Sequence, residues 1–287
     1  MEIIFKHVAY SYQTHTPFQN NALEDINFEI ASGSFTSIIG STGSGKSTVL
    51  QLIDGLIEPT GGSLAVGDYY FDQMTHLKKL KNLRQKIGFI FQFAENQLFE
   101  ETVEKDLMFG PLNFAVDQQH AKENARKILA VVDLPESVLR LSPLDLSGGQ
   151  RRRIAIAGVL INDPQILLLD EPTVGLDPEN HLELMALFKK LNQQEKTIIM
   201  VSHDMNDVAK YSDQVIVLNQ GKLIKKASPE IIFADEPFLK SQQLALPDTI
   251  AFANELKKLG LKLDEPIKDE QELILAIRKQ FLLRKKI

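Results

Sequence analysis

The chain has 287 residues, of which 44% are hydrophobic and 24% charged. That is room for one large or two modest domains at roughly 150 residues each, with a composition outside the disordered range. A net charge of −6 gives no whole-chain electrostatic footprint for nucleic acid, and the lack of cysteine excludes disulfides, thiolate metal sites and cysteine nucleophiles.

No charged-then-apolar leader opens the chain. The longest uncharged apolar stretch, residues 154–161, falls far short of the roughly 20 residues that span a bilayer. A cytosolic protein is expected. Residues 3–12 alternate and read as a strand; a polar stretch, 13–21, interrupts, and 22–30 resumes the strand pattern. Residues 35–39 form a short apolar run ending in Gly40, and 46–53 have helical spacing, giving strand, glycine-rich loop, helix. Alternation disappears from about 95 to 132. Residues 121–132 and 147–161 carry helical spacing there. Uniformly apolar runs at 166–169 and 197–201, separated by a helix over 178–191, argue for a parallel sheet covered on both faces. Residues 215–224 read as a hairpin around Asn219, Gln220 and Gly221. Past Ser228 three helical stretches are predicted: one capped by Ser228 with Pro229 in its first turn, one from Pro247 to near Gly260, and one over 269–284 with Leu273, Ile277 and Phe281 on one face.

Gly40, Ser41, Thr42, Gly43, Ser44, Gly45, Lys46 and Ser47 fit the phosphate-loop pattern, and Thr48 follows in the first turn of the helix. Glycines let successive backbone N–H groups turn toward one anion, and the helix presents its positive end to the same point. Lys46 reaches the β- and γ-phosphates of a nucleotide, and the Ser47 hydroxyl is a ligand for Mg²⁺. The apolar run 166–169 ends in Asp170 and Glu171. Of two carboxylates leaving a buried strand, Asp170 is placed to hold Mg²⁺ and Glu171 to orient or deprotonate a water.

Leu146, Ser147, Gly148, Gly149 and Gln150 open the helix of 147–161, where Ser147 caps it and the glycines admit an anion. This pentapeptide, with Arg151, Arg152, Arg153, Ile154 and Ala155 after it, resembles the signature of the ATP-binding cassette (ABC) ATPases. Taken singly, Tyr12 reads as a strand aromatic, Gln92 as a surface glutamine and His203 as a turn residue. Placed in the family's order, Tyr12 matches the aromatic that stacks on adenine, Gln92 the glutamine that reaches Mg²⁺ between two lobes, and His203 the switch histidine. Gly175, Leu176 and Asp177 match the loop that crosses a dimer interface. The resemblance implies an α/β P-loop fold with a helical signature subdomain over about 95–162, an ATPase domain over 1–228 and a small helical appendage over 229–287. It also implies catalysis by Glu171 and His203, with ATP and Mg²⁺ bound, and a dimer. In that dimer Ser147, Gly148, Gly149 and Gln150 contact the ATP held by the partner's phosphate loop.

The segment from Phe91 through Gln92, Phe93, Ala94, Glu95, Asn96, Gln97, Leu98 and Phe99 to Asn113 resembles the ATPases of energy-coupling factor transporters, which import vitamins or metal ions. Phe93 and Ala94 stand where that family commonly has Asn-Pro. The insertion with Thr16, Pro17 and Phe18 resembles the second of the two paired ATPases. The implied partners are a homologous ATPase subunit, a transmembrane coupling subunit and a substrate-binding membrane subunit, with the chain peripheral on the cytoplasmic face. An apolar segment with few charges, residues 92–113 are expected to dock on the coupling subunit, with Leu98 exposed. A conventional ABC importer or exporter ATPase, and a soluble ATP-switched interaction protein, remain open at this point.

Overall fold

Two sheets of opposite character account for the two apolar patterns in the sequence. The computed structural model describes every residue except 15, 76–79, 264–266, 268 and 285–287, and of 281–284 the backbone alone. The chain runs through β1 (Ile3–Tyr12), β2 (Asn20–Ile30), β3 (Phe35–Ile39), α1 (Lys46–Ile53), β4 (Gly61–Val66), β5 (Tyr69–Asp72), α2 (Lys81–Lys86) and β6 (Ile87–Ile90). It continues with a 3₁₀ turn (Ala94–Gln97), α3 (Val103–Asn113), α4 (Gln118–Val131), α5 (Gly148–Leu160), β7 (Ile166–Asp170), α6 (Pro178–Gln193), β8 (Thr197–Val201) and α7 (Met205–Tyr211). The last elements are β9 (Gln214–Asn219), β10 (Lys222–Ala227), α8 (Pro229–Phe233), α9 (Glu236–Ser241), α10 (Asp248–Lys258) and α11 (Glu270–Arg284).

The larger sheet has the order β10-β9-β3-β8-β7-β6, parallel throughout except for the β9–β10 hairpin. Its central strands β3 and β8 are buried at every position because both faces are covered, and apolar except at Thr36, Ser37 and Thr197. Successive side chains of a strand point to opposite faces. Accordingly Leu167, Leu169, Ile198 and Met200 enter one core with α3 to α6, while Ile166, Leu168, Ile199 and Val201 enter another with α1. That second core is closed by the antiparallel sheet β2-β1-β4-β5. In β2 the buried side chains are Leu23, Ile26, Phe28 and Ile30, with polar groups between the last three, and Phe28 stacks on Phe5 of β1 at 4.4 Å.

The helices at 118–131 and 148–160 start close to where their spacing predicts. Asp117 caps α4, its Oδ1 accepting from the backbone N–H of Gln119 and His120. Ser147 caps α5 in a reciprocal box with Gln150: Ser147 Oγ accepts from Gln150 N at 3.2 Å and Gln150 Oε1 from Ser147 N at 3.0 Å. The expected capping by Ser228 fails; its hydroxyl makes no bond to α8, which starts on Pro229 without one. After residue 228 the helices divide. Ile232, Phe233 and Leu239 of α8 and α9 join the large core, whereas Ala253, Leu263, Ile267 and Leu273 form a small cluster of their own under α10 and α11. Ile277 packs on that cluster, and the side chain of Phe281 lies outside the described residues.

Candidate nucleotide site

The phosphate loop bridges β3 and α1, and its shape is set by contacts at its back. Gly40 has φ +154°, and a Cβ there would sit 2.1 Å from the carbonyl oxygen of Leu218 in β9. Gly45 has φ +101°, and its Cβ would meet Leu23 Cδ2 at 2.6 Å and the Ala22 carbonyl at 2.7 Å. Only glycine fits either position. The turn of the β9–β10 hairpin supports the same loop: Gly221 N–H donates to the Ser44 carbonyl at 3.2 Å, and Glu24 N–H donates to the Gly221 carbonyl at 2.8 Å. Ser44 is buried and its hydroxyl has no hydrogen-bond partner.

In front of the loop lies a cavity of about 380 Å³ lined by Thr42, Gly43, Gly45, Lys46, Ser47 and Thr48 from the loop and α1. The same cavity is lined by Tyr12, Gln92, Asp170, Glu171 and His203, residues separated by up to 191 positions in sequence. Gly40, Ser41 and Ser44 do not line it and form the loop's back. Lys46 is buried, and its Nζ donates to the carbonyls of Gly40 at 2.8 Å and Ser41 at 2.9 Å. Burial pushes the Lys46 pKa down, and the charges of Glu171 and Asp170 oppose that shift. Asp170 is pushed up by burial, against the Ser47 hydroxyl, which donates to it, and the Lys46 and His203 charges. Ser47, Asp170 and Gln92 all line the cavity and offer oxygen donors, the type that suits a hard divalent cation.

Glu171 leaves the strand in the left-handed region at φ +52°, and its N–H donates to the Val201 carbonyl at 3.0 Å. A non-glycine residue at positive φ is strained by order 1–3 kcal/mol and is held there by its surroundings. Burial raises its pKa; the His203 charge is the largest opposing influence. His203 Nε2 lies 3.1 Å from Glu171 Oε1. Tyr12 presents a half-exposed ring, its hydroxyl 3.1 Å from Thr48 Oγ1 and 3.3 Å from Gln51 Oε1.

Ser147, Gly148, Gly149 and Gln150 do not line this cavity. Beside them, Arg152 is buried with Nε donating to Glu95 Oε2 at 3.0 Å and Nη1 to the Val174 carbonyl at 2.8 Å. One guanidinium thus ties the signature helix to the turn after Gln92 and to the loop after Glu171. Sequence reasoning missed this link, as it missed Asn20 and Asn21 on the cavity rim. The register that sets Tyr12 opposite Asn20 is the signal that places the asparagines there.

Segment 91–113 divides in two. Phe91 stacks on Phe89 at 3.9 Å and packs on the core, and Leu98 is partly buried against the large core, contrary to the exposure expected for it. Phe93, Phe99, Phe109 and Leu112 are exposed, with Phe99 edge-on to Phe109 at 5.0 Å. Leu98 follows a 3₁₀ turn in extended backbone, so it turns inward while its neighbours Gln97 and Phe99 face outward.

Comparison with known proteins identifies the family. The family model described as ABC transporter matches residues 23–174. The chain is 59% identical over 285 residues, 99% of both chains, to "Energy-coupling factor transporter ATP-binding protein EcfA3" of Oenococcus oeni. It is 50% identical to EcfA2 of Lactiplantibacillus plantarum, over 98% of this chain and 95% of that one. Among solved structures, cbiO1 from Clostridium perfringens, described as part of the ABC transporter complex cbiONQ, superposes with a TM-score of 0.72 at 33% identity, covering 88% of this chain and 98% of that one. The ADP- and phosphate-bound dimer of the ATP-binding cassette MJ0796 gives 0.70 at 33% identity, covering 79% of this chain and 98% of that one. The chain belongs to the ABC transporter family of ATP-binding proteins, among the relatives named for energy-coupling factor transporters.

Proposed function

We propose that this chain is the ATP-binding and ATP-hydrolysing subunit of an energy-coupling factor transporter, peripheral on the cytoplasmic face of the cell membrane, that powers uptake of vitamins or metal ions. The gathering of Lys46, Ser47, Asp170, Glu171 and His203 around one cavity carries the assignment. The loop amides and Lys46 bind the phosphates, and the Tyr12 ring stacks on adenine. Ser47, Gln92 and Asp170 are the residues that hold Mg²⁺, which when bound neutralises charge on the phosphate oxygens. Glu171, its basicity raised by burial, orients and deprotonates the attacking water, and His203 fixes the Glu171 carboxylate.

Ser147, Gly148, Gly149 and Gln150, away from this cavity, complete the nucleotide site of a homologous partner subunit, in a heterodimer whose closure depends on ATP. Among the described residues no helix is long and apolar enough to cross a membrane. The exposed group Phe93, Phe99, Phe109 and Leu112 is the surface for the transmembrane coupling subunit, which also carries the substrate-binding membrane subunit. Residues 1–228 are taken as the ATPase domain, with the helical subdomain over about 95–162, and 229–287 as the extension.

The test is affinity purification of the tagged chain from native membranes, with mass identification of what accompanies it and an ATPase assay of the isolated assembly. A homologous ATPase together with a coupling subunit is the expected result. A full permease in place of the coupling subunit, or quantitative recovery in the soluble fraction, overturns the assignment.

A further inference from the structure

A second polar cavity, about 430 Å³, lies at the seam between the cassette and the C-terminal helices. Four helices meet there, α11 contributing Glu270 and Leu273. α6 supplies His181, α7 supplies Asp207 behind its capping residue Asp204, and α10 supplies Asp248 and Thr249 from across the seam. One ligand atom from each of His181, Asp204 and Asp207 lies within 4.8 Å of the others. Donors bound tetrahedrally to one divalent ion at about 2.0–2.2 Å stand roughly 3.3–3.6 Å apart, so binding draws the widest pair together by up to about an ångström.

The cavity contains acceptors that the protein itself leaves unsatisfied. Asp207 is only 6% exposed. Both of its oxygens lie 2.9 Å from His181 Nε2, but a ring nitrogen carries one hydrogen; Oδ1 takes it, and Oδ2 is left buried without a hydrogen bond. Independently, the Thr249 hydroxyl, on another helix and lining the same cavity, is also buried with no partner. A buried polar atom without a partner calls for an explanation, and here two of them face one space. Asp204 uses Oδ1 to cap α7, accepting from Asn206 N at 2.8 Å and Asp207 N at 3.2 Å, so that the cap does not occupy its second oxygen. Asp248, Asp269 and Glu270 add carboxylates to the lining, against a single lysine, Lys210. The field in the cavity therefore favours a cation.

We propose that His181, Asp204 and Asp207 form a binding site for one divalent transition-metal cation, separate from the nucleotide site. An imidazole with two carboxylates suits zinc, manganese, cobalt or nickel and discriminates against magnesium, which prefers oxygen ligands and its own water. On binding, the ring hydrogen that Nε2 directs at Asp207 moves to Nδ1 by exchange with solvent, which frees the Nε2 lone pair for the ion, and Thr249 is in position to act through a bound water. Because Asp204 directly follows His203 and Asn206 exchanges two hydrogen bonds with Asp248 of α10, a bound ion joins α6, the switch segment and the extension at one point.

The experiment uses Zn²⁺ alone, without nucleotide, on the full chain stripped with a chelator. Bound metal is counted by mass spectrometry after equilibrium dialysis, and the melting temperature is followed in parallel. The expected result is one Zn²⁺ that raises the melting temperature, with binding at least about tenfold weaker in Asp204→Asn, a change on the scale of losing a metal-site partner. Asparagine retains the capping oxygen and leaves the His181–Asp207 pair untouched, so this variant keeps its fold; His181→Gln provides a second reading. Wild-type chain that binds no Zn²⁺, or Asp204→Asn and His181→Gln that bind it as wild type does, overturns the proposal and leaves His181–Asp207 as an ion pair alone.

Discussion

His203 Nε2 stands 3.1 Å from Glu171 Oε1, which makes the last histidine of the core and the carboxylate after β7 a single unit. Burial raises the Glu171 pKa and the His203 charge opposes it. Glu171→Gln keeps the shape and removes the base. Steady-state ATPase activity of the assembled transporter is expected to fall by about 10²–10⁴, while labelled ATP still binds. Retention of more than half the activity would remove Glu171 from its role.

Lys46 ties down two carbonyls of its own loop, those of Gly40 and Ser41, and it lines the cavity in front of that loop. Lys46→Ala loses both functions. A charge-assisted bond is worth about 1.5–3 kcal/mol, so ATP affinity measured by equilibrium binding is expected to drop roughly ten- to a hundredfold. Circular dichroism should remain that of the wild type. Undiminished affinity would place the nucleotide elsewhere.

The partition of segment 91–113 gives a paired test of docking. Phe99 and Phe109 are 63% and 47% exposed, so Phe99→Glu and Phe109→Glu should fold and bind ATP yet fail to co-purify with the membrane complex. Leu98→Glu, by contrast, places a charge against the large core and is expected to lower the melting temperature of the isolated subunit. Normal assembly and uptake by both phenylalanine variants would contradict the docking assignment.

Asp54, at the C-terminal end of α1, is buried, and its pKa is pushed up to about 7 despite the Arg84 charge nearby. The folded state therefore holds this proton more tightly than the unfolded chain. The stability it contributes is full below the ordinary aspartate pKa. It is lost as pH rises through about 7, at about 1.4 kcal/mol for each pH unit between the unfolded and folded values. Asp54→Asn should be more stable than wild type at pH 8, by a few kcal/mol at most, and gain little at pH 4. Urea titrations of both proteins at the two pH values check this. Equal gains at both would show that Asp54 does not titrate in this range.

The residues that the fold gathers at the cavity were readable in the sequence because each motif needs a particular side chain at a fixed offset. A loop that wraps phosphate requires glycine at positions such as 40 and 45, and a strand that delivers Asp170 must be apolar up to that residue. Short or two-sided elements were less readable. β5 and β6 have four residues each, too few to establish a period, and α3 contains Gly110 and Pro111 and exposes Phe109 and Leu112, which blurs its apolar face. The inward turn of Leu98 depends on a 3₁₀ turn that starts after Phe93 at φ +56°, a backbone detail that residue types do not announce. Arg152 pairs with Glu95 over 57 positions, and local pattern cannot show a partner that distant.

Every nucleotide motif lies between Tyr12 and His203, yet the floor of the phosphate loop comes from later in the chain. Leu218 presses its carbonyl against Gly40, and Gly221 holds Ser44. A fragment ending just after His203 would carry all the motif residues and lack the strand on which their loop rests. Possession of the motifs and competence to grip phosphate are thus separable properties of this chain, and the second is acquired only when the β9–β10 hairpin has been made and has folded beneath the first.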